Sequence, residues 1–365
     1  MSVAACGDCL RRTALIAALA PWLDVEWRKR SAPAGVLSLP DEELVALDGS
    51  GRTARAHAVF SPRQARERIV AARLAALCRC DDGYPERLRE LADPPSVLHV
   101  AGNLAALDGV DAVAIVGARR GTAYGLEVSR SLGRGLTAAG IPVVSGMAMG
   151  VDSAAHTGAL EAQGAAPVAV LAGGADVAYP ASRRRLHAEL IARGCVVSEL
   201  PPGFTAFRWC FVARNRLIAG LAALTVVVEA TERSGSLTTA DFAQQLGRPV
   251  GAVPGPVTSR FSAGTNSLLA AGAGLVRDTR DVLDQLLGPS DRRAAEPPPT
   301  PAVALEPRLR CLLDAIERGH GSLAELTSDP EATRQVLQDL TELELRGLVR
   351  REFGGRYVRA LEERW

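Results

Sequence analysis

From about residue 110 onward the chain alternates between short, wholly apolar runs and amphipathic stretches. The runs cover residues 110–116, 142–145, 167–171, 195–198, 224–229, 249–253 and 275–277. Between them, residues 124–139, 151–164, 182–193, 211–220, 237–246 and 265–271 repeat apolar positions at helical spacing. Strands that are apolar throughout, with no polar face, predict burial on both sides, hence a parallel sheet covered by helices on each side. The expected fold is a doubly wound, Rossmann-like α/β domain over residues 96–288. Ligands of such sheets bind outside the carboxyl ends of the strands, where the strand order reverses.

The flanks have a different texture. Residues 10–23 are apolar between arginines, Pro40-Asp41-Glu42-Glu43-Leu44 puts acids at a helix start, and Ser61-Pro62 opens a helical run to Leu77. Residues 1–95 therefore read as a small helical domain with a proline-rich exit at Asp93-Pro94-Pro95. Residues 289–305, with Glu296-Pro297-Pro298-Pro299, have linker composition. In residues 306–365, helical patterns at 307–318, 322–327 and 331–346 precede a hairpin across Gly354-Gly355, the pattern of a winged helix. Its third helix carries Glu331, Asp339, Glu342 and Glu344, which favours a protein-contact or structural role over facing phosphates.

Composition narrows the classes. Among 365 residues, 47% are hydrophobic and 23% charged, as in an ordinary globular chain. No run reaches the roughly 18 apolar residues of a membrane span, and no signal-like core opens the chain, so a cytoplasmic protein without membrane contact is expected. The net charge of +1 excludes a basic coat, yet Lys29 is the sole lysine, so an anion bound elsewhere would meet planar arginine forks. Absence of lysine from the central domain also rules out a P-loop there. Seven scattered cysteines do not form a disulfide framework. Cys6-x-x-Cys9 and Cys78-x-Cys80 could supply four thiolates, but their separation exceeds that of compact zinc ribbons, and no metal is expected.

Polar or glycine-rich sequence follows nearly every strand. Gly117-Ala118-Arg119-Arg120-Gly121 precedes a helix: glycines admit backbone N–H groups to an anion, the helix dipole favours it, and Arg119 can clamp it. The spacing is not the dinucleotide fingerprint, so no nicotinamide or flavin cofactor is expected. Ser234-Gly235-Ser236-Leu237-Thr238-Thr239 offers four hydroxyls at a strand-to-helix turn, either a phosphate seat or a capped first turn. Glu229 before it could accept from an arginine or hold a loop. Arg214-Asn215-Arg216 brackets an asparagine on an apolar helix and puts its basic groups on two faces, one toward the ligand edge and one bracing a loop. Asp152, Ser153 and His156 share a helical turn, but without a nucleophile elbow or a zinc-protease motif His156 reads as a loop brace.

Taken in order, A-I-V-G-A-R (114–119), S-G-M-A-M-G-V-D-S-A-A-H (145–156), S-E-L-P-P-G (198–203), R-N-R-L-I-A-G-L (214–221), S-G-S-L-T-T-A (234–240) and G-R-P-V-G-A-V-P-G (247–255) resemble the DNA-processing protein A family, DprA or Smf. That resemblance implies a non-catalytic protein that binds single-stranded DNA in a basic pocket, dimerises, and helps load the recombinase RecA in natural transformation. It also implies a sterile-alpha-motif-like N-terminal domain and a C-terminal winged helix. The family loops fall on Gly117, Ala118 and Arg119, on Arg214, Asn215 and Arg216, and on Ser234, Gly235 and Ser236; Arg120, Gly146, Arg183 and Thr238 complete the expected DNA-binding set. Ala118 stands for the family's usual serine, Met149 for arginine, Val212 for proline and Arg183 for asparagine, so affinity should fall unless Arg119, Arg120, Arg183, Arg184 and Arg185 compensate. Tyr124, Tyr179, Phe204, Phe207 and Trp209 are candidates for base stacking. The alternative is a nucleotide phosphoribohydrolase on a similar sheet, whose P-G-G-x-G-T-x-x-E loop the hydroxyl turn does not match.

Overall fold

The computed structural model describes residues 5–29, 35–107, 111–288, 305–327, 329–346, 348–351 and 355–359. The expected linker before residue 305, the hairpin turn at Gly354 and the start of the first expected strand lie outside them. The chain divides into two compact units between residues 292 and 293.

In the first unit, α1 (Gly7–Lys29), α2 (Asp41–Leu47), α3 (Arg52–Ala58) and α4 (Pro62–Ala71) precede β1 (Ala75–Cys78), α5 (Glu86–Arg89) and β2 (Val97–Gly102). The βα alternation follows as β3 (Val113–Val116), α6 (Ala123–Ala138), β4 (Val143–Ser145), α7 (Val151–Glu161), β5 (Val168–Val170), α8 (Arg184–Arg193), β6 (Cys195–Ser198), α9 (Arg208–Leu221), β7 (Leu224–Val227), α10 (Leu237–Gln245), β8 (Val250–Ala252), α11 (Ala263–Ala270), β9 (Gly274–Leu275) and α12 (Thr279–Leu287).

Nine strands form one sheet in the order β1-β2-β6-β5-β4-β3-β7-β8-β9. β3 to β9 are parallel, while β2 joins β6, and β1 joins β2, antiparallel. Successive residues of β3 serve opposite layers: Val113 and Ile115 meet Val128, Leu132 and Ala155, whereas Ala114 and Val116 meet Leu217 and Ile218. Burial on both faces is why the strands are apolar throughout. α6 and α7 touch backbone to backbone, because Gly133 lies on the Ala155 carbonyl and Gly158 on the Arg130 carbonyl, where a Cβ would collide.

The helical run expected to reach Leu77 stops earlier. α4 ends at Ala71, Arg73 turns the chain with φ 57°, and residues 75–78 pair with β2. Alanine and leucine favour helix, but cross-strand pairing and burial override that local preference. The change from helical to sheet texture therefore comes ahead of residue 95. The N-terminal helices also share a core with the sheet unit: Leu15, Leu19, Leu23 and Leu44 pack with Leu200 and Trp209, whose indole N–H donates to the Ala20 carbonyl at 3.0 Å.

The wide separation of Cys6 and Cys9 from Cys78 and Cys80 argued against one metal site. The fold removes that argument, since the start of α1 lies at the end of β1 and brings all four sulfurs within 4.8 Å of one another. Sequence distance is a poor measure of spatial distance once an antiparallel edge strand folds back.

The second unit contains α13 (Pro307–Glu317), α14 (Leu323–Leu326), α15 (Pro330–Leu345) and the antiparallel pair β10 (Val349–Arg351) and β11 (Tyr357–Arg359). Leu309, Leu313, Ile316, Leu340, Leu343, Val349 and Tyr357 form its core. Ser322 and Glu325 close a reciprocal capping box at the start of α14. Among the described residues, no helix is long and apolar enough to cross a membrane.

Candidate nucleic-acid interface

The strand order reverses between β3 and β7, so the loops leaving these two strands, with that of β4 beside them, bound the crevice of the doubly wound sheet. The loop after β3 enters α6 through Thr122, whose hydroxyl accepts from Gly125 N at 3.2 Å. Glu229, buried at the end of β7, fixes this turn by accepting from Thr122 N at 2.8 Å and Thr122 Oγ1 at 2.6 Å. Gly125 leaves the space Glu229 occupies, which a Cβ would invade. Glu229 is thus the loop holder, and its charge is spent at a helix N-terminus.

Arg119 and Arg120 project from that loop into solvent. The Arg119 guanidinium lies over the Phe211 ring at 5.0 Å, and Phe211 in turn meets Tyr179 at 5.2 Å between centroids. A cation and two rings thereby follow one another, with Tyr179 47% exposed and Phe211 partly buried against the core that holds α1. Arg183, partly exposed, ends the 3₁₀ turn Ala181–Arg183 just beyond Tyr179.

The R-N-R segment behaves differently from a surface clamp. Arg214 is only 5% exposed and donates to the Val170 carbonyl at the end of β5. Its guanidinium lies directly beneath Gly146, where a Cβ would collide with it. Burial draws its pKa down to about 10, against the opposing pull of Asp152, so it stays protonated at neutral pH. Asp152 is itself buried, which raises its pKa despite Arg214, and it accepts from Gly146 N at 3.2 Å. Arg214 is thus a positive charge sealed below the β4 loop.

Arg216, expected at the interface, points away from it. It pairs with both oxygens of Glu199 at 2.8 and 2.7 Å and with Asp93 at 3.0 Å, and is 3% exposed. Burial lowers its pKa, but Glu199 and Asp93 outweigh that cost and hold the guanidinium charged. Its role is to cement α9 to the approach to β2. Asn215 donates to the Gly235 carbonyl at 3.1 Å and Thr238 Oγ1 at 2.8 Å, so it braces the hydroxyl loop. Thr238 spends its own proton on the Gly235 carbonyl. Ser234 and Ser236 face each other at 2.7 Å, and Gly235 is exposed between them.

The expected set therefore splits. Gly117, Ala118, Arg119, Arg120, Gly146 and Arg214 cluster around the loops after β3 and β4, with Ser234, Gly235 and Ser236 on the adjoining loop, while Asn215, Thr238 and Arg216 work from behind. Of the stacking candidates, Trp209 is buried against α1, and Phe204 and Phe207 pack on each other at 6.0 Å within that same core. Tyr124 remains exposed, its hydroxyl on the Pro254 carbonyl at 3.0 Å. Phe211 was missed, although its place three residues before Arg214, on the same helical face, was the available signal.

The sheet order and the arginines and serines at its switch-point crevice define a doubly wound, Rossmann-like α/β protein. The family model described as DNA recombination-mediator protein A matches residues 75–287. A DprA protein of Mycobacterium tuberculosis is 42% identical over 271 residues, 73% of this chain and 69% of that one. The structure of DNA processing protein A from Streptococcus pneumoniae superposes with a TM-score of 0.63 at 30% identity, covering 76% of this chain and 96% of the other. That of Helicobacter pylori DNA processing protein A, solved for its single-stranded DNA binding mode, gives 0.53 at 31% identity over 59% and 95%. The chain belongs to the DprA/Smf family of DNA processing proteins.

Proposed function

We propose that this protein binds single-stranded DNA along the crevice rim, without chemical turnover, and acts as a homodimeric recombination mediator in the cytoplasm that protects incoming strands and helps load RecA during natural transformation. The observation that carries the reading is the Arg119–Phe211–Tyr179 row beside the Ser234–Ser236 turn. Sequence-tolerant binding of a single strand needs cations for the backbone and π-faces for the bases, and duplex DNA hides those bases. Arg120 and Arg183 extend the cationic edge, and the sealed charge of Arg214 adds attraction that salt screens weakly. The Helicobacter pylori relative binds single-stranded DNA, which supports the same ligand here.

Fluorescence anisotropy with labelled oligo-dT and a matching duplex tests the reading. Tight, salt-dependent binding of the single strand and weak binding of the duplex is the expected result; equal affinity for both, or none for either, overturns it. Release of base from nucleoside monophosphates would instead favour the phosphoribohydrolase. The mediator role is tested by RecA-dependent ATP hydrolysis on coated single strands, which this protein should accelerate.

A further inference from the structure

We propose that Cys6, Cys9, Cys78 and Cys80 hold one zinc ion as a tetrathiolate that clamps the first helix to the edge of the sheet. The four sulfurs come from two short chelating pairs, C-x-x-C at the start of α1 and C-x-C at the end of β1, and lie within 4.8 Å of one another. With zinc–sulfur bonds of about 2.3 Å, the edge of a tetrahedron is about 3.8 Å; the Cys9 and Cys80 sulfurs stand 3.7 Å apart. A disulfide needs about 2 Å, and a four-iron cluster spreads its thiolates over separate metal corners, wider than this group.

The surroundings suit thiolates. Cys9 N points at Cys6 Sγ at 3.5 Å and Cys6 N at Cys78 Sγ at 3.4 Å, the outer hydrogen bonds that orient sulfur ligands and disperse their charge. The ligand loop is fixed as well: Asp81 accepts from Cys78 N at 2.6 Å, and Arg89 donates to the carbonyls of Arg79 and Asp81. Cys9 and Cys78 are buried, while Cys80 is exposed and gives an ion its way in. Four soft, convergent sulfurs select a thiophilic ion over magnesium or calcium.

The other cysteines do nothing similar. Cys195 and Cys210 are buried apart from this group, and burial pushes each thiol up to about 12; Cys311 is exposed in the second unit. The family match begins at residue 75, so one ligand pair lies inside it and the other in the helices ahead of it. The ion would thus tie those helices to the DNA-processing sheet.

The test is elemental analysis of the full-length, untagged chain purified under reducing conditions. One zinc per chain is expected, with intense visible cobalt–thiolate bands after cobalt exchange. Cys80→Ser, at an exposed position, should lose most of the zinc and still fold, Cys9→Ser should lose it too, and Cys311→Ser should keep all of it. Chelation should lower the thermal midpoint by roughly 10 °C, as for a ligand present about a thousand-fold above its dissociation constant. One iron per chain in place of zinc, no zinc retained after zinc addition and desalting, or a disulfide within the group would each overturn the proposal.

Discussion

Arg119 and Arg216 look equivalent in the sequence, and the structure makes opposite predictions for their removal. Arg119→Ala deletes an exposed guanidinium that lies over the Phe211 ring, an interaction of about 0.5–1 kcal/mol at an exposed site. Folding stability should hardly move. Binding should weaken by about 1.5–3 kcal/mol, the worth of a charged hydrogen bond, or roughly ten- to a hundred-fold, and the slope of log affinity against log salt should flatten by about 0.7, one phosphate on a single strand. Arg216→Ala deletes the cation paired with Glu199 and Asp93, leaving two acids in a largely buried place. Breaking a buried pair costs about 3–5 kcal/mol; at roughly 2–4 °C per kcal/mol the midpoint should drop by about 6–20 °C, with the salt slope of the folded fraction unchanged. Thermal unfolding and salt-series anisotropy on both variants read these quantities. An Arg216→Ala protein with a wild-type midpoint and a flattened salt slope, or an Arg119→Ala protein that binds normally, would refute the division of labour.

Other expectations test separate parts of the site. Phe211→Ala should remove the surface under Arg119 and next to Tyr179 and weaken single-strand binding by about 1–3 kcal/mol, the range for one stacking contact; an unchanged oligo-dT affinity would exclude the aromatic row from the interface. Gly146→Ala should force the Arg214 guanidinium from its seat and destabilise the first unit by about 1–3 kcal/mol in urea unfolding, the usual cost of overpacking; a wild-type midpoint would mean that Arg214 moves freely. His99 and His156 are both fully buried, and burial lowers each pKa from its ordinary 6.5 to about 4. Between those values the unfolded chain binds two protons that the folded chain refuses, so stability present above pH 6.5 is lost as pH falls toward 4, at about 2.7 kcal/mol per pH unit. His99→Gln and His156→Gln should each remove about half of that slope, and a slope insensitive to both would count against their burial.

The parallel strands were legible because burial on both faces leaves an unbroken apolar run, and each polar loop after a strand marked a carboxyl end. β1 and β2 were not, since Ala75-Ala76-Leu77 carries helix formers and its strand character comes from pairing with residues distant in sequence. The position of the candidate site followed from the same logic as the strands, but exposure within it did not. Arg214 and Arg216, two residues apart, had to leave α9 on different faces; that both would be buried depends on Asp152, Glu199 and Asp93, which come from other elements. The four cysteines were visible as two pairs, but their proximity was not, because the two halves meet only when β1 adds to the sheet edge.

Burial also decides what each arginine can contribute to a nucleic-acid rim. An exposed guanidinium such as Arg119 exchanges water and counterions for a phosphate, so its effect rises and falls with salt. Arg214 cannot reach a phosphate without unsealing the β4 loop, yet its charge lies in a low-dielectric place where a potential extends farther than in water. Asp152 offsets part of that charge, and the remainder acts on whatever rests against Gly146 and its neighbours. Neutralising Asp152 with asparagine should therefore raise single-strand affinity while leaving the salt slope almost unchanged, because no phosphate contact is added. A steeper slope in Asp152→Asn would show instead that Arg214 swings out and binds the strand directly.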